Sequence, residues 1–201
     1  FIARPWPFIM AELKNEGIPF RVYRDHPEIV PLGWDGVQVS SRTVDYLAPA
    51  FHAESARWFD AIMPVLAPRL QPAGGPILGV QLDNEIGMLA WVTNSPDLTD
   101  GLVASFGEFV LERHGGAGTY AVSPGDEGWA EVVRSPKEEW AGALRLDLGL
   151  FMRQRFASYV AALRGSCEER GVSGVPFFVN IHGTEGGNGA PFPIGISQLV
   201  D

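Results

Sequence analysis

Ile77-Leu78-Gly79-Val80-Gln81-Leu82-Asp83-Asn84-Glu85 follows the break Gly74-Gly75-Pro76 and passes from an apolar run into three polar residues. The run is too short for a helix of ordinary length and is bounded by turn residues, so it reads as a strand buried on both faces. Upstream, the spacing of Phe51, Ser55, Trp58, Phe59, Ile62 and Val65 predicts a helix from about Pro49 to Leu66. Downstream, Leu102, Val103, Phe106 and Val110 predict another from about Thr99 to His114, stopped by Gly115-Gly116. Ser135-Pro136-Lys137-Glu138 has the order of a helix start, with Ser as the N-cap and Pro at the first helical position. That helix should run to about Arg170 and stop at Gly171. Val175–Ile181 reads as a strand, Ile194–Val200 as a further one, and Phe1-Ile2-Ala3 with Phe8–Ala11 as a strand turning into a loop. Residues 15–50 are loop-rich, and 116–134 are irregular.

Strands alternating with helices specify a parallel sheet with helical crossovers, an α/β fold. Asp83-Asn84-Glu85 lies at the C-terminal end of one strand, and Asn180, His182 and Glu185 at or beyond the end of another. In a (β/α)8 TIM barrel that face carries the chemistry, and a whole barrel takes about 250 residues. The expectation is therefore a barrel segment of four strands, about half a barrel, which the resemblance described below numbers as about strands three to six. Phe1 and Val200-Asp201 both fall in strand-like runs, which suggests truncation at both ends. Residues 1–201 would form one partial catalytic domain, with 116–170 either an insertion or a long exterior helix.

Composition narrows the function. The 15 Lys and Arg against 24 Asp and Glu give a net charge of −9, and no basic stripe is present, which argues against nucleic acid as a partner. No apolar run reaches the ~18 residues of a membrane span, so no membrane partner is expected, and either a cytoplasmic or a secreted location fits. The single Cys167 excludes an internal disulfide framework and a thiolate metal cluster. Six Trp and twelve Phe in an acidic chain suit either a packed core or aromatic faces for sugar rings.

Asn84-Glu85 is the leading candidate for chemistry. Side chains alternate along a strand, so two adjacent residues reach one site only where regular pleating ends. A carboxyl rising from an apolar strand loses solvation, which raises its pKa toward that of a general acid, and the adjacent amide suits a sugar hydroxyl. A solvated strand end is the alternative reading of the same residues. His26, His52 and His114 show no metal-ligand spacing, whereas His182, beyond a strand end, is placed to line a pocket, and Asp35 beside Trp34 to border one. Cys167 stands next to Glu168-Glu169, which disfavours a thiolate. Gly183–Gly189 lacks the Gly-Lys-Ser/Thr ending of a phosphate loop.

Two blocks carry a family resemblance. Arg4-Pro5-Trp6-Pro7-Phe8-Ile9-Met10-Ala11-Glu12 followed by Gly17-Ile18-Pro19 resembles the strand-three segment of the glycoside hydrolase family 35 β-galactosidases, Arg-Pro-Gly-Pro-Tyr-Ile-Cys-Ala-Glu then Gly-Leu-Pro. Gly75-Pro76-Ile77, then Val80-Gln81-Leu82-Asp83-Asn84-Glu85-Ile86-Gly87, is similar to the family's Gly-Pro-Ile and Val-Gln-Val-Glu-Asn-Glu-Tyr-Gly. The resemblance is strong over 1–87 and weaker beyond, where Val179-Asn180-Ile181-His182-Gly183 is only distantly similar to strand five. It implies a retaining β-glycosidase that needs no cofactor and acts on an oligosaccharide, polysaccharide or other glycoside. Glu85 would be the acid/base and Asn84 a sugar ligand; Phe8, Met10, Ala11, Glu12, Asn180 and His182 would line the sugar subsite. The family's nucleophile, at the end of strand seven, would fall beyond Asp201, with Glu185 the in-chain alternative. Phe8 stands in place of Tyr, Met10 in place of Cys and Ile86 in place of Tyr, which leaves the acid/base intact and opens the sugar specificity to β-glycosides other than galactosides. A carbohydrate-binding protein on a degenerate barrel is the rival reading.

Overall fold

The computed structural model describes residues 1–7, 17–39, 44–86, 96–116 and 120–181. Three strands, β1 (Ile2–Ala3), β2 (Gly79–Ile86) and β3 (Phe177–Ile181), form one parallel sheet in the order β1-β2-β3. Parallel neighbours cannot be joined by a tight turn, so each connection must cross over. Helices α1 (Phe20–Asp25) and α2 (Pro49–Leu66) lie between β1 and β2. Between β2 and β3 come α3 (Asp100–His114), α4 (Trp129–Arg134) and α5 (Glu138–Glu169). The α/β reading holds; the further strand expected at 194–200 lies outside the described residues.

Local chemistry accounts for most boundaries. Pro49 opens α2, where its fixed φ suits the first turn, and Phe51, Ser55, Phe59 and Met63 form the buried stripe of that helix at four-residue spacing. Thr99 caps α3 by accepting from the Leu102 N–H at 3.2 Å, and Gly115, at φ 64°, closes it in the left-handed conformation. The expected N-cap at Ser135 is not formed. Ser135 ends α4, its N–H bonded to the Glu131 carbonyl and its hydroxyl donated to Asp35 at 2.6 Å, so α5 starts instead after Lys137. The 116–134 stretch, expected to be irregular, contains α4 because Trp129, Val132 and Val133 have a core to enter.

That core lies between the sheet and the helices. Val80 and Leu82 from β2, Phe106 and Val110 from α3, and Leu144, Leu148, Tyr159 and Leu163 from α5 are all buried. Phe106 sits among the rings of Trp129 (5.9 Å), Phe151 (5.3 Å) and Phe109 (6.3 Å). Each fully buried large apolar side chain of this kind contributes roughly 1.5–3 kcal/mol. Gly75 is required by close approach: a Cβ there would run into the Arg69 backbone, beside the bonds Ile77 N–H to Arg69 O and Gly75 N–H to Leu70 O that set the entry to β2.

Candidate functional site

The central strand carries Asp83, Asn84 and Glu85 at its C-terminal end, as expected, and closes at Ile86. Its pairing with β3 slips along the way. From Gln81↔Phe178 to Asp83↔Val179, β2 advances two residues against one; from Asp83 to Ile86 it advances three against two. Each slip is a bulge that leaves one residue of β2 without a ladder partner. Glu85 lies in the second, at φ 52°, a left-handed conformation that costs a residue with a Cβ about 1–2 kcal/mol. Strict alternation therefore ends at Asn84-Glu85, although the strand does not.

Hydrogen bonds bring Asn84 and Asn180 together. The Asn180 amide donates to Asn84 Oδ1 at 3.0 Å and accepts from Gln81 Nε2 at 2.5 Å, while the same Gln81 nitrogen reaches the Asp83 carbonyl at 3.0 Å. Three amide side chains thus tie the C-terminal ends of β2 and β3 across 99 residues of sequence. Asn84 is buried, Glu85 half-buried and Asn180 exposed, so the cluster grades from core to surface at the strand ends.

Beneath it lies a pair that the sequence did not announce. Asp83 is fully buried; its Oδ2 accepts from the Tyr159 hydroxyl at 2.6 Å and its Oδ1 from the Asn84 N–H at 2.7 Å. Burial lifts this carboxyl to about 7, against the pull of its two donors, and Tyr159 is in turn raised well above the ordinary tyrosine value by burial and by Asp83. The only sequence signal was an acid in a strand buried on both faces, because Tyr159 is 76 residues away.

Phe8, Met10, Ala11, Glu12, His182 and Glu185 lie outside the described residues. Trp6, a departure from the resembled pattern, is 5% exposed with the Arg4 guanidinium 4.3 Å over its ring, so it fills space rather than presenting a free face. It borders a cavity of about 230 Å³ with Ile18, Phe51, Glu54 and Trp58. Asp35 is taken up by Ser135, His52 contacts the Tyr46 carbonyl, and His114 contacts Asp147. Cys167 is buried and its thiol is pushed up to about 11 by burial, in keeping with an inert thiol. Among the described residues no three His, Cys, Asp or Glu side chains are grouped to hold a metal ion, and no helix is long and apolar enough to cross a membrane.

Comparison with known proteins gives the following. No protein-family model matches the chain. A β-1,2-glucosyltransferase from Ignavibacterium album is 26% identical over 210 residues, covering 100% of this chain and 29% of its own length. An exo-β-D-glucosaminidase from Thermococcus kodakarensis is 36% identical over 103 residues, 49% of this chain and 13% of that protein. Human β-galactosidase is 31% identical over 86 residues, 43% of this chain and 11% of its own. The chain thus spans less than a third of these relatives. In fold it is similar to part of the β-galactosidase from the psychrophilic Marinomonas ef1, with a TM-score of 0.62 at 16% identity, covering 82% of this chain and 26% of that one. The β-galactosidase from Bacillus circulans sp. alkalophilus gives 0.59 at 16% identity, covering 82% and 25%.

Proposed function

We propose that the chain is the central part of a (β/α)8 barrel in a retaining β-glycoside-active enzyme, with Glu85 as its acid/base. The observation that carries this reading is the Asn84–Glu85 pair on a bulged end of the central parallel strand, Asn84 being tied to Asn180 of the next. Glu85 protonates the glycosidic oxygen as the bond to the sugar breaks, while a second carboxylate about 5–5.5 Å away attacks the anomeric carbon. Glu85 then takes a proton from the incoming acceptor, which releases the sugar with its configuration kept. Asn84 holds a sugar hydroxyl beside the reacting carbon, and Glu12, Ala11, Met10, Phe8, Asn180 and His182 complete the subsite. The nucleophile belongs to a later strand of the barrel, with Glu185 the alternative inside this chain. Two carboxylates suffice for this chemistry, and no cofactor enters it.

The acceptor is water in a hydrolase and a second sugar in a transferase. Hydrolysis is favoured by the glycosidases among the relatives; transfer is favoured by the glucosyltransferase, whose alignment covers the whole chain. Both share the first step, so one experiment tests them together. The full-length protein carrying this chain is assayed on a panel of nitrophenyl β-glycosides and on unactivated oligosaccharides, as wild type and as Glu85→Gln. The variant is expected to lose on the order of 10²–10⁴-fold on unactivated substrates, while glycosylation from activated aryl glycosides, which need no acid, is largely spared. Equal loss on both overturns the acid role, and binding of sugars with no turnover by the wild type replaces the enzyme with a lectin-like protein. Product analysis with and without an added sugar acceptor separates hydrolysis from transfer.

A further inference from the structure

We propose that Asp83 and Tyr159 are positioning residues for the Asn84–Glu85 pair, a role that rests on the reading of Glu85 as acid/base. In a parallel ladder the Asn84 N–H would be offered to a neighbouring strand; here it is given to the side chain of the preceding residue, Asp83 Oδ1. This local bond starts at Asp83, where the two register slips meet, and ends on Asn84 inside the second, directly before the left-handed Glu85. A short side chain bonded to the next N–H offers the backbone an alternative to the ladder, which is how such residues bend a chain. The bond lasts only if the carboxyl is held in that rotamer, and the Tyr159 hydroxyl holds it from the other oxygen at 2.6 Å.

Tyr159 is itself fixed. It has no exposed surface, and its ring packs against Tyr46 at 4.7 Å, Phe51 at 6.3 Å and His52 at 6.4 Å. Position is thus passed from the packed rings of α2 and α5, through one hydroxyl and one carboxyl, to the backbone that presents Glu85. The titratable groups facing this path are Asp83, Tyr159 and Tyr46, with His52 at the edge of the Tyr159 ring. A fully buried carboxyl served by a hydroxyl and an amide is costly to keep, and a fold that needed only packing here would be served by an apolar side chain.

The test uses the full-length protein, with each variant assayed well below its unfolding midpoint on an activated aryl glycoside and an unactivated glycoside. Tyr159→Phe keeps the ring and deletes the hydroxyl. It is expected to lower kcat/KM on the unactivated substrate on the order of 10–100-fold, as a misplacement of about 1 Å does, with a much smaller loss on the activated one. Asp83→Ala should show the same leaving-group dependence. Asp83→Asn, which can still accept from Asn84 and donate to Tyr159, should recover most of that loss. Should Tyr159→Phe fail to fold, the Ala/Asn pair at position 83 carries the decision. Equal losses on both substrates, no loss with Tyr159→Phe, or no recovery by Asn overturns the positioning role. Glu85→Gly with and without azide keeps the two readings apart: azide rescue there with no selective loss at 159 or 83 sinks only the present inference, whereas no azide rescue and no selectivity at 85 sinks the acid/base reading itself.

Discussion

Two buried aspartates each accept from a tyrosine hydroxyl, and they differ in what else they touch. Asp147 on α5 is a clamp: it accepts from Arg113 Nε at 3.0 Å, His114 Nε2 at 2.6 Å and Tyr120 at 2.7 Å, fastening the C-terminal turn of α3 to α5. Asp83 has Tyr159 and a backbone N–H, and burial lifts it to about 7. The clamp joins two helices; the acid for which the described residues supply no cation stands at the end of the central strand, next to the candidate site. A buried acid supplied with a guanidinium serves cohesion. One left with neutral donors at the rim of a sheet has the signature of a functional position.

Changing pH should expose the contrast most strongly. Folding raises the Asp83 pKa above its ordinary value, so the folded state holds this proton from about pH 4 to about 7 while the unfolded chain gives it up. The associated stability is complete below about pH 4 and is lost as pH rises toward 7. Thermal unfolding of Asp83→Asn, compared with the wild type at each pH, should therefore shift in the variant's favour by a few kcal/mol between pH 4 and 8. Asp97, pushed up to about 8 by burial and by Asp45, should give the same direction in Asp97→Asn, with its loss extending to about pH 8. A difference independent of pH would remove the distinction between the two kinds of acid.

Next in size is the clamp. Asp147→Ala leaves Arg113, His114 and Tyr120 without their shared acceptor, and since Arg113 keeps 43% of its side chain exposed, part of the freed charge rehydrates. The expected loss is about 2 kcal/mol, below the 3–5 of a fully buried pair, read as a lower unfolding midpoint with unchanged activity per folded molecule. Altered leaving-group dependence in this variant would put Asp147 in the same class as Asp83. The smallest effect belongs to the exposed pair Arg164–Glu168, four residues apart on α5. Arg164→Ala should cost about 0.3 kcal/mol, falling further with added salt, as urea unfolding at two ionic strengths would detect.

Much of the fold could be read from the chain because its signals are local. Phe51, Ser55 and Phe59 repeat at helical spacing and are buried, although Trp58 and Val65 of the same pattern are exposed and Met63 takes the next core position; Thr99 and Gly115 bracket α3, and the apolar run into Asp83-Asn84-Glu85 marks the central strand. Ser135 misled because its hydroxyl had a better partner in Asp35, 100 residues distant, than in the helix it preceded. The site divided in the same way. The placement of Asn84, Glu85 and Asn180 at strand ends was legible, whereas Gln81 and Tyr159 join this cluster through hydrogen bonds spanning 99 and 76 residues that no periodicity encodes.

The backbone at Glu85 has a consequence for the tolerance of this protein to change. A left-handed residue is the place where glycine fits best, so Glu85→Gly should make the chain sturdier, by about 1 kcal/mol, while removing the carboxyl proposed above as the proton donor. Random mutagenesis scored on folding alone would select that replacement, and selection for turnover would purge it. Position 85 is thus where durability and reactivity pull against each other, and a library sorted by each criterion in turn should split there first.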